Sequence, residues 1–350
     1  MNLLKRFLIL TWMAASVDGF TVGQSVTVPS LTVKREVRSV MGRSPLDGGT
    51  NRPGTTIVMQ TIPVEVATCL IPTCGGFFSR EFGVSYAYGA ATSLTAWYVL
   101  QTIILPQTKS LNWVAWHAMA IIFYGIRLNT FLFVRGKRSK RIREMRKRIE
   151  QRAEASGSRL SRVPFVISCA YLYYGLCAPL YQTAAIMSQP LGSLEHVFHG
   201  LVGVTWLGFL IAALGDFAKS TVKARRGEHH LVTGGLFRVL RHPNYTGEIL
   251  GWTASSTAGV LAFVLHKQFT KVKSWWYLSS NLLGVMGINF VLMLAARNLE
   301  KRQAEMYGST DAYKKWIATS WSGFVLPEKT VHEEPHIEVN DQEEDGGTGI

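Results

Sequence analysis

The sequence predicts an all-α fold, a polytopic bundle of transmembrane helices, on three observations. Hydrophobic residues make up 47% of the 350 residues, and ten tryptophans are among them. Several apolar runs approach twenty residues, the length at which an α-helix crosses a bilayer. The lysines and arginines lie mainly in the loops between these runs, as the positive-inside rule expects of a membrane protein.

Six apolar runs are predicted as firm spans and a seventh is a candidate. The six are Phe82 to Leu105, Leu111 to Val134, Val163 to Met187, Leu194 to Gly215, Ile249 to His266 and Trp275 to Ala296. The candidate, Val58 to Phe78, contains Pro63, Pro72 and Glu65. A broken span, an interfacial helix and a re-entrant segment therefore all fit its sequence.

Charge along the chain predicts the topology. If the six spans alternate in direction, segments 135–162, 216–246 and 297–325 share one side and carry 12, 6 and 5 lysines or arginines. The other side carries only Lys109, Lys267, Lys271 and Lys273. The net charge of +14 thus reflects membrane topology, and no nucleic-acid partner is expected. The basic run after Arg135 predicts an amphipathic helix lying on anionic membrane lipids.

The two ends of the chain differ in composition from the membrane domain at 82–325. Residues 1–19 resemble a signal peptide, and residues 20–57 are rich in Ser and Thr with few acids, typical of a transit peptide or a disordered segment. Together they predict a plastid membrane; a signal anchor with a disordered linker would instead indicate the endoplasmic reticulum membrane. The acidic residues 328–350 predict a disordered tail.

No metal site is expected. His332 and His336 have the HExxH spacing, but Pro335 prevents the helix that would bring both imidazoles to one face. The four cysteines lie in apolar stretches without the paired spacing of a zinc site, and we interpret them as packing residues.

The most informative stretch is GGLFRVLRHPNYTGE, from Gly234 to Glu248. Pro243 is suited to the first turn of a helix, which places Asn244 and Glu248 on one face with Tyr245 beside them. Lipid headgroups would account for Arg238 and Arg241 in the preceding loop, but not for a carboxylate at the edge of hydrocarbon. A ligand with negative phosphates and a neutral polar end would account for both.

Polar residues at the ends of two other spans accompany this stretch. Asp216, Lys219 and Lys223 share a helical face, although an intrahelical pair of the first two is a simpler reading. Arg297 and Glu300 follow the last predicted span. Arg127 lies inside the second span, where it either snorkels to the surface or serves a buried anion.

This pattern resembles the C-terminal domain of the steroid 5-alpha-reductases, and more closely a membrane-protein branch of that superfamily related to the sterol reductases. The resemblance covers about residues 85–325. The residues that carry it are Asp216, Lys219, Gly235-Leu236-Phe237, Arg241-His242-Pro243-Asn244-Tyr245, Gly247-Glu248, Glu300-Lys301-Arg302, Tyr307-Gly308 and Tyr313.

The resemblance implies an NADPH-dependent reductase that acts within the membrane on a carbon-carbon double bond conjugated to a carbonyl, in a steroid-like or other lipid substrate. The residues matching family cofactor contacts by motif position are Asp216, Lys223, Asn244, Glu248 and Arg297. Further cofactor-binding candidates are Lys219, Arg238, Arg241, His242, Tyr245, Glu300 and Tyr313. Catalytic candidates are Tyr245 together with Glu65 and Tyr124, which stand in for an acid that the family carries in its early helices.

Two other functions are open. The isoprenylcysteine carboxyl methyltransferases, which bind S-adenosylmethionine, also carry an Arg-His-Pro-x-Tyr-x-Gly motif; here Glu248 after the glycine, with Asp216 and Lys219, favours the reductase. A non-catalytic lipid-binding relative would keep the fold without the early-helix acid. The sequence does not indicate an oligomeric state.

Overall fold

The computed structural model describes residues 64–108, 111–155, 158–267 and 271–326, and within them the main elements are helices. The signal-like and transit-like segments, the acidic tail and the HExxH motif lie outside the described residues. The α-helices are α1 Val64–Thr73, α2 Ala87–Val99, α3 Trp113–Arg138, α4 Lys140–Ala155, α5 Val163–Ala184, α6 Leu194–Arg226, α7 Pro243–His266, α8 Val272–Tyr307 and α9 Asp311–Thr319.

The predicted all-α membrane bundle is confirmed. Five helices of the described chain, α3, α5, α6, α7 and α8, are long and apolar enough to cross a membrane. The predicted span from Phe82 to Leu105 is also helical, but it is not one long α-helix. Wider π-helical turns, Phe82–Tyr86 and Leu100–Ile104, flank α2, and such turns interrupt the regular hydrogen-bond ladder.

The described part of the seventh candidate span runs along the bundle. At its start, the Tyr277 hydroxyl in the first turns of α8 donates a 3.3 Å hydrogen bond to Glu65. Near its end, Arg162 donates a 3.2 Å hydrogen bond to the carbonyl of Phe77. Pro72 lies in the last turn of α1 and does not break it. Residues 58–63 of this candidate lie outside the described residues.

Two helices extend well beyond their predicted ends. α6 continues past Gly215 to Arg226, and α8 continues past Ala296 to Tyr307, about 16 Å in each case at 1.5 Å per residue. Both extensions carry polar residues expected in loops. They project on the same side as the loop before α7, and we call this side the basic end.

The chain after α8 packs against the loop at the basic end. The backbone N–H of Arg241 donates to the carbonyl of Trp321 at 2.8 Å, and the N–H of Trp321 donates to the carbonyl of Val239 at 2.9 Å. The indole N–H of Trp316 in α9 donates to the carbonyl of Phe237 at 2.6 Å. These bonds fix the stretch that precedes Pro243, and α7 begins at that proline as predicted.

Helices α6 and α7 approach closely along a glycine seam. A Cβ atom at Gly208 would lie 2.5 Å from the backbone nitrogen of Gly251. A Cβ atom at Gly215 would lie 2.9 Å from the backbone nitrogen of Asn244. Small residues allow such contact between membrane helices, where lipid chains compete with apolar packing. The seam brings the polar end of α6 against the first turns of α7.

The predicted amphipathic helix is α4, which lies at the basic end. Arg146 pairs with Glu81 at 2.7 Å, and Arg162 pairs with Glu150 at 2.9 Å. These ion pairs hold α4 against the segment before α2 and the turn before α5. Arg143, Lys147 and Arg148 are exposed. Contact between these residues and anionic lipid stays a prediction.

Candidate functional site

A buried ion cluster joins α3, α6 and α7. The Arg127 guanidinium donates to Asp216 Oδ2 at 2.7 Å and to Glu248 Oε1 at 3.2 Å. The Tyr124 hydroxyl donates to the other Glu248 oxygen, Oε2, at 2.8 Å. The side chains of Arg127, Asp216 and Glu248 are each about one-tenth exposed. Both oxygens of Glu248 are therefore engaged, and the orientation of its carboxylate is fixed.

Arg127 is central to this cluster, a role that its position in the sequence left open. It does not snorkel to the surface, because both of its terminal nitrogens bond buried carboxylates. One guanidinium faces two carboxylates, and Lys219, about one turn after Asp216, supplies a second positive charge nearby. Charges this buried are tolerated only when they are paired and hydrogen-bonded.

A cavity of about 210 Å³ lies next to the cluster, between α2, α3, α5, α7 and α8. Most of its wall is apolar and is formed by residues such as Leu128, Leu172, Ile288 and Leu292. Its polar side chains include Tyr88, Tyr245 and Glu248. Glu248 thus stands at the boundary between the apolar cavity and the ion cluster. A mostly apolar pocket with a few convergent polar groups is the usual form of a small-molecule site.

Tyr88 supplies a polar group that the sequence did not single out. Its ring stacks on Tyr173 with centroids 5.2 Å apart and lies 5.4 Å from the ring of Tyr124. Its hydroxyl is buried and makes no hydrogen bond of standard geometry among the described residues, although the Tyr124 hydroxyl and the Trp252 indole lie near it. A buried hydroxyl that is only weakly bonded gains from a better-placed acceptor. The arrangement suits a ligand that brings a hydrogen-bond acceptor into the cavity.

A second polar group lies at the basic end. Glu300 Oε1 forms an ion pair with Arg241 Nη1 at 2.9 Å and a hydrogen bond with His242 Nε2 at 3.2 Å. Burial lowers the pKa of His242 below its ordinary value, and the nearby Glu300 opposes this shift. The His242 imidazole is therefore neutral near pH 7. Tyr313 lies close to both Glu300 and Arg241, and burial raises its pKa.

Asn244 lies between the two groups, in the first turn of α7. It is buried, and its side-chain oxygen has no hydrogen-bond partner among the described residues. The first turn of a helix also presents backbone N–H groups without intrahelical partners. Together these features suit a neutral polar group that both donates and accepts hydrogen bonds.

The remaining predicted residues lie farther from the cluster. Arg238 is exposed on the loop before α7. The Lys223 ammonium donates a 2.6 Å hydrogen bond to the carbonyl of Glu228. Arg297 is half-buried on α8, about one turn before Glu300.

The structure does not bring Glu65 to the other candidates. Its carboxylate lies 3.7 Å from the Lys273 ammonium and accepts a hydrogen bond from Tyr277. Tyr277 and Glu300 are both on α8, and their separation along that helix is about 34 Å at 1.5 Å per residue. The path of α1 therefore places Glu65 near the opposite end of the bundle from the ion cluster.

Comparison with known proteins gives one family. The model of a family described as "Protein of unknown function (DUF1295)" matches residues 79–320, more than half of the chain. No curated protein and no solved structure matches the chain. The matched range includes the ion cluster, the cavity and the polar group at the basic end, and it excludes Glu65.

Proposed function

The chain belongs to the DUF1295 family, and we propose that it is an NADPH-dependent reductase and a member of the steroid 5-alpha-reductase superfamily. Its substrate would be a membrane lipid with a carbon-carbon double bond conjugated to a carbonyl, and the reaction would reduce that double bond. The observation that carries this proposal is the position of Glu248. It lies where an apolar cavity, suited to a lipid, meets buried polar residues next to the basic end.

The residues at the basic end fit NADPH. The partnerless oxygen of Asn244 suits the N–H group of a neutral carboxamide. Arg241, Lys219 and Arg297 offer positive charge for phosphates, with Arg238 exposed above them. When bound, the cofactor would supply a hydride from its dihydronicotinamide ring.

The cavity residues would act on the substrate carbonyl. As negative charge develops on the carbonyl oxygen, a hydroxyl aimed at that oxygen stabilises it. Tyr88 and Tyr245 are the tyrosines of the cavity wall that suit this task, and the Tyr88 hydroxyl makes no hydrogen bond of standard geometry to the described residues. Tyr124 donates its hydrogen to Glu248, so we assign it a positioning role.

The apolar wall would have two effects. It excludes water, which strengthens the hydrogen bond to the developing oxyanion. It also accepts a lipid from the bilayer, whereas a charged cofactor would reach the site from the basic end. The two compartments meet at Glu248.

Transfer of deuterium tests this proposal. The purified protein, reconstituted with a membrane lipid extract, is supplied with NADPH deuterated at the transferred position, and lipids are compared by mass spectrometry. We expect a lipid that gains one deuterium from the cofactor and one hydrogen from water. If the protein binds NADPH but no lipid gains deuterium, the proposal is contradicted.

A matched pair of variants tests the assignment of Tyr88. Tyr88→Phe should slow deuterium transfer by about a hundredfold or more, because it removes a hydrogen bond to the oxyanion. Tyr98→Phe makes the same chemical change on the same helix, outside the cavity lining, and should transfer deuterium at the wild-type rate.

A further inference from the structure

A second cavity lies at the end of the bundle opposite the basic end. It is an open groove of about 520 Å³ between the N-terminal parts of α3 and α6. We call it the tryptophan groove; its lining residues are Leu111, Asn112, Trp113, Trp116, Glu195, His199, Val202, Gly203 and Trp206. It shares no residue with the cavity at Glu248, and the proposed reductase does not use it.

Two indoles form an aromatic corner in this groove. The ring centroids of Trp116 and Trp206 are 6.3 Å apart, and their planes meet at 66°. The indole N–H of Trp206 donates a 3.1 Å hydrogen bond to the backbone carbonyl of Trp116, which fixes Trp206 against α3. Trp113 is buried behind them and stacks on Phe198 at 4.6 Å. The corner is held in place by these contacts before any ligand enters.

Among the described residues that line the groove, Glu195 is the one that carries a carboxylate. Its side chain is 53% exposed, and its ion-pair contact is a 3.9 Å approach to His199. The described residues that line the groove include no lysine or arginine. A carboxylate in the first turn of a helix is favoured by the helix dipole, but the dipole does not explain the tryptophans opposite it.

Aromatic faces and a carboxylate together recognise a quaternary ammonium ion. Such a cation has no N–H groups to donate, so it gains little from polar walls and is attracted by indole faces. A nearby carboxylate adds Coulomb attraction without requiring a hydrogen bond. A primary ammonium is more strongly hydrated, and it would need several acceptors at once to replace that water, whereas a quaternary ammonium needs none.

The location of the groove points to a lipid. Trp116 lies in the first turn of α3 and Glu195 in the first turn of α6, so both are at the level expected for lipid headgroups. Farther along α3 and α6, toward the bilayer centre, Ile126, Leu207 and Leu210 have exposed apolar side chains. Acyl chains can lie along these side chains while the headgroup occupies the groove.

We propose that the tryptophan groove binds the trimethylammonium headgroup of a phosphatidylcholine-type lipid. Tryptophans are common at membrane interfaces, where they contact lipids without selectivity. The distinguishing feature here is selectivity for the quaternary ammonium, because Glu195 and the indole corner face the same space.

Competition between lipids tests this proposal. The purified protein is mixed with equal amounts of phosphatidylcholine, phosphatidylethanolamine and phosphatidylglycerol, and retained lipid is identified by native mass spectrometry. We expect preferential retention of phosphatidylcholine. Equal retention of the three lipids would overturn the proposal. Displacement by soluble phosphocholine at the same concentration as the lipid would also overturn it, because the ligand would then be a small molecule.

Variants separate the groove from general interfacial contact. Glu195→Gln and Trp116→Leu should each weaken phosphatidylcholine retention by about two- to thirtyfold. Trp275→Leu, at an exposed tryptophan near the start of α8 on the same end of the bundle, should leave retention unchanged. Because Glu195 is exposed, its variant should fold normally; wild-type retention by that variant would contradict the proposal even if Trp116→Leu is unstable.

Discussion

Arg127 donates a 2.7 Å hydrogen bond to Asp216, 89 residues later in the chain, and so links the second long apolar run of the sequence to the polar end of α6. The same guanidinium reaches Glu248 of α7. Three helices are thereby joined by one buried cation, directly beside the apolar cavity.

Replacing Arg127 with Met should destabilise the protein strongly. The change leaves two buried carboxylates without their shared partner, and breaking a buried pair in this way costs about 3–5 kcal/mol. Thermal unfolding in detergent would measure the loss. Adding Asp216→Asn and Glu248→Gln to the same variant should restore part of the stability, because the unpaired charges are removed. A melting temperature equal to wild type for Arg127→Met would contradict the pairing.

Glu248→Gln should separate binding from transfer. The amide keeps the size of the side chain but removes the charge that Arg127 and Tyr124 contact. We expect slower deuterium transfer or weaker NADPH binding, while the preference for NADPH over NADH persists because the ribose phosphate would be recognised at the basic end. Loss of that preference would show that Glu248 acts on the phosphate side of the site.

Acidification should weaken the fold through His242. Its pKa in the folded protein is lowered by burial below the ordinary value of 6.5. The imidazole in the unfolded chain therefore binds a proton below about pH 6.5, whereas in the folded protein it does so only at lower pH. Between these two pKa values the free energy of unfolding decreases as pH falls, by at most about 1.4 kcal/mol per pH unit. Measured between pH 7.5 and 5, His242→Gln should show a shallower decline than wild type. If the stability of the variant and of the wild type declines equally with falling pH, His242 does not cause the acid sensitivity.

Gly208→Ala should disturb the seam between α6 and α7. The added methyl group would meet the backbone of Gly251 at 2.5 Å and of Gly247 at 2.6 Å, and such overpacking costs about 1–3 kcal/mol. Gly200→Ala is the matched control on the same helix, because a Cβ there meets nothing within 4 Å. We expect a lower melting temperature for the first variant and no decrease for the second. Equal melting temperatures would contradict close packing at the seam.

The sequence predicts the fold class and part of the candidate site. Apolar run length locates the long helices, and Pro243 marks the start of α7 correctly because its ring fixes a helical backbone angle and lacks an N–H. The spacing of Asn244 and Glu248 predicts a shared face, and both side chains are buried together near α6.

The sequence could not supply the contacts between helices. The partners of Arg127 depend on how closely α6 and α7 pack, and the place of the Tyr88 hydroxyl on the cavity wall is evident only when its neighbours are known. The position of Glu65 depends on the path of α1 through the bundle. The ends predicted from hydropathy for α6 and α8 also come too early in the sequence, because a helix can continue into water through polar residues.

The most direct test of the reductase proposal is cofactor binding by the purified protein in detergent. We predict that NADPH binds more tightly than NADH, that its affinity falls with added salt, and that Arg241→Ala weakens it by about ten- to a hundredfold, since a charge-assisted contact is worth about 1.5–3 kcal/mol. Tight binding of S-adenosylmethionine without detectable binding of NADPH would contradict the reductase and favour a methyltransferase. Binding of neither cofactor would contradict both and indicate a lipid-binding protein.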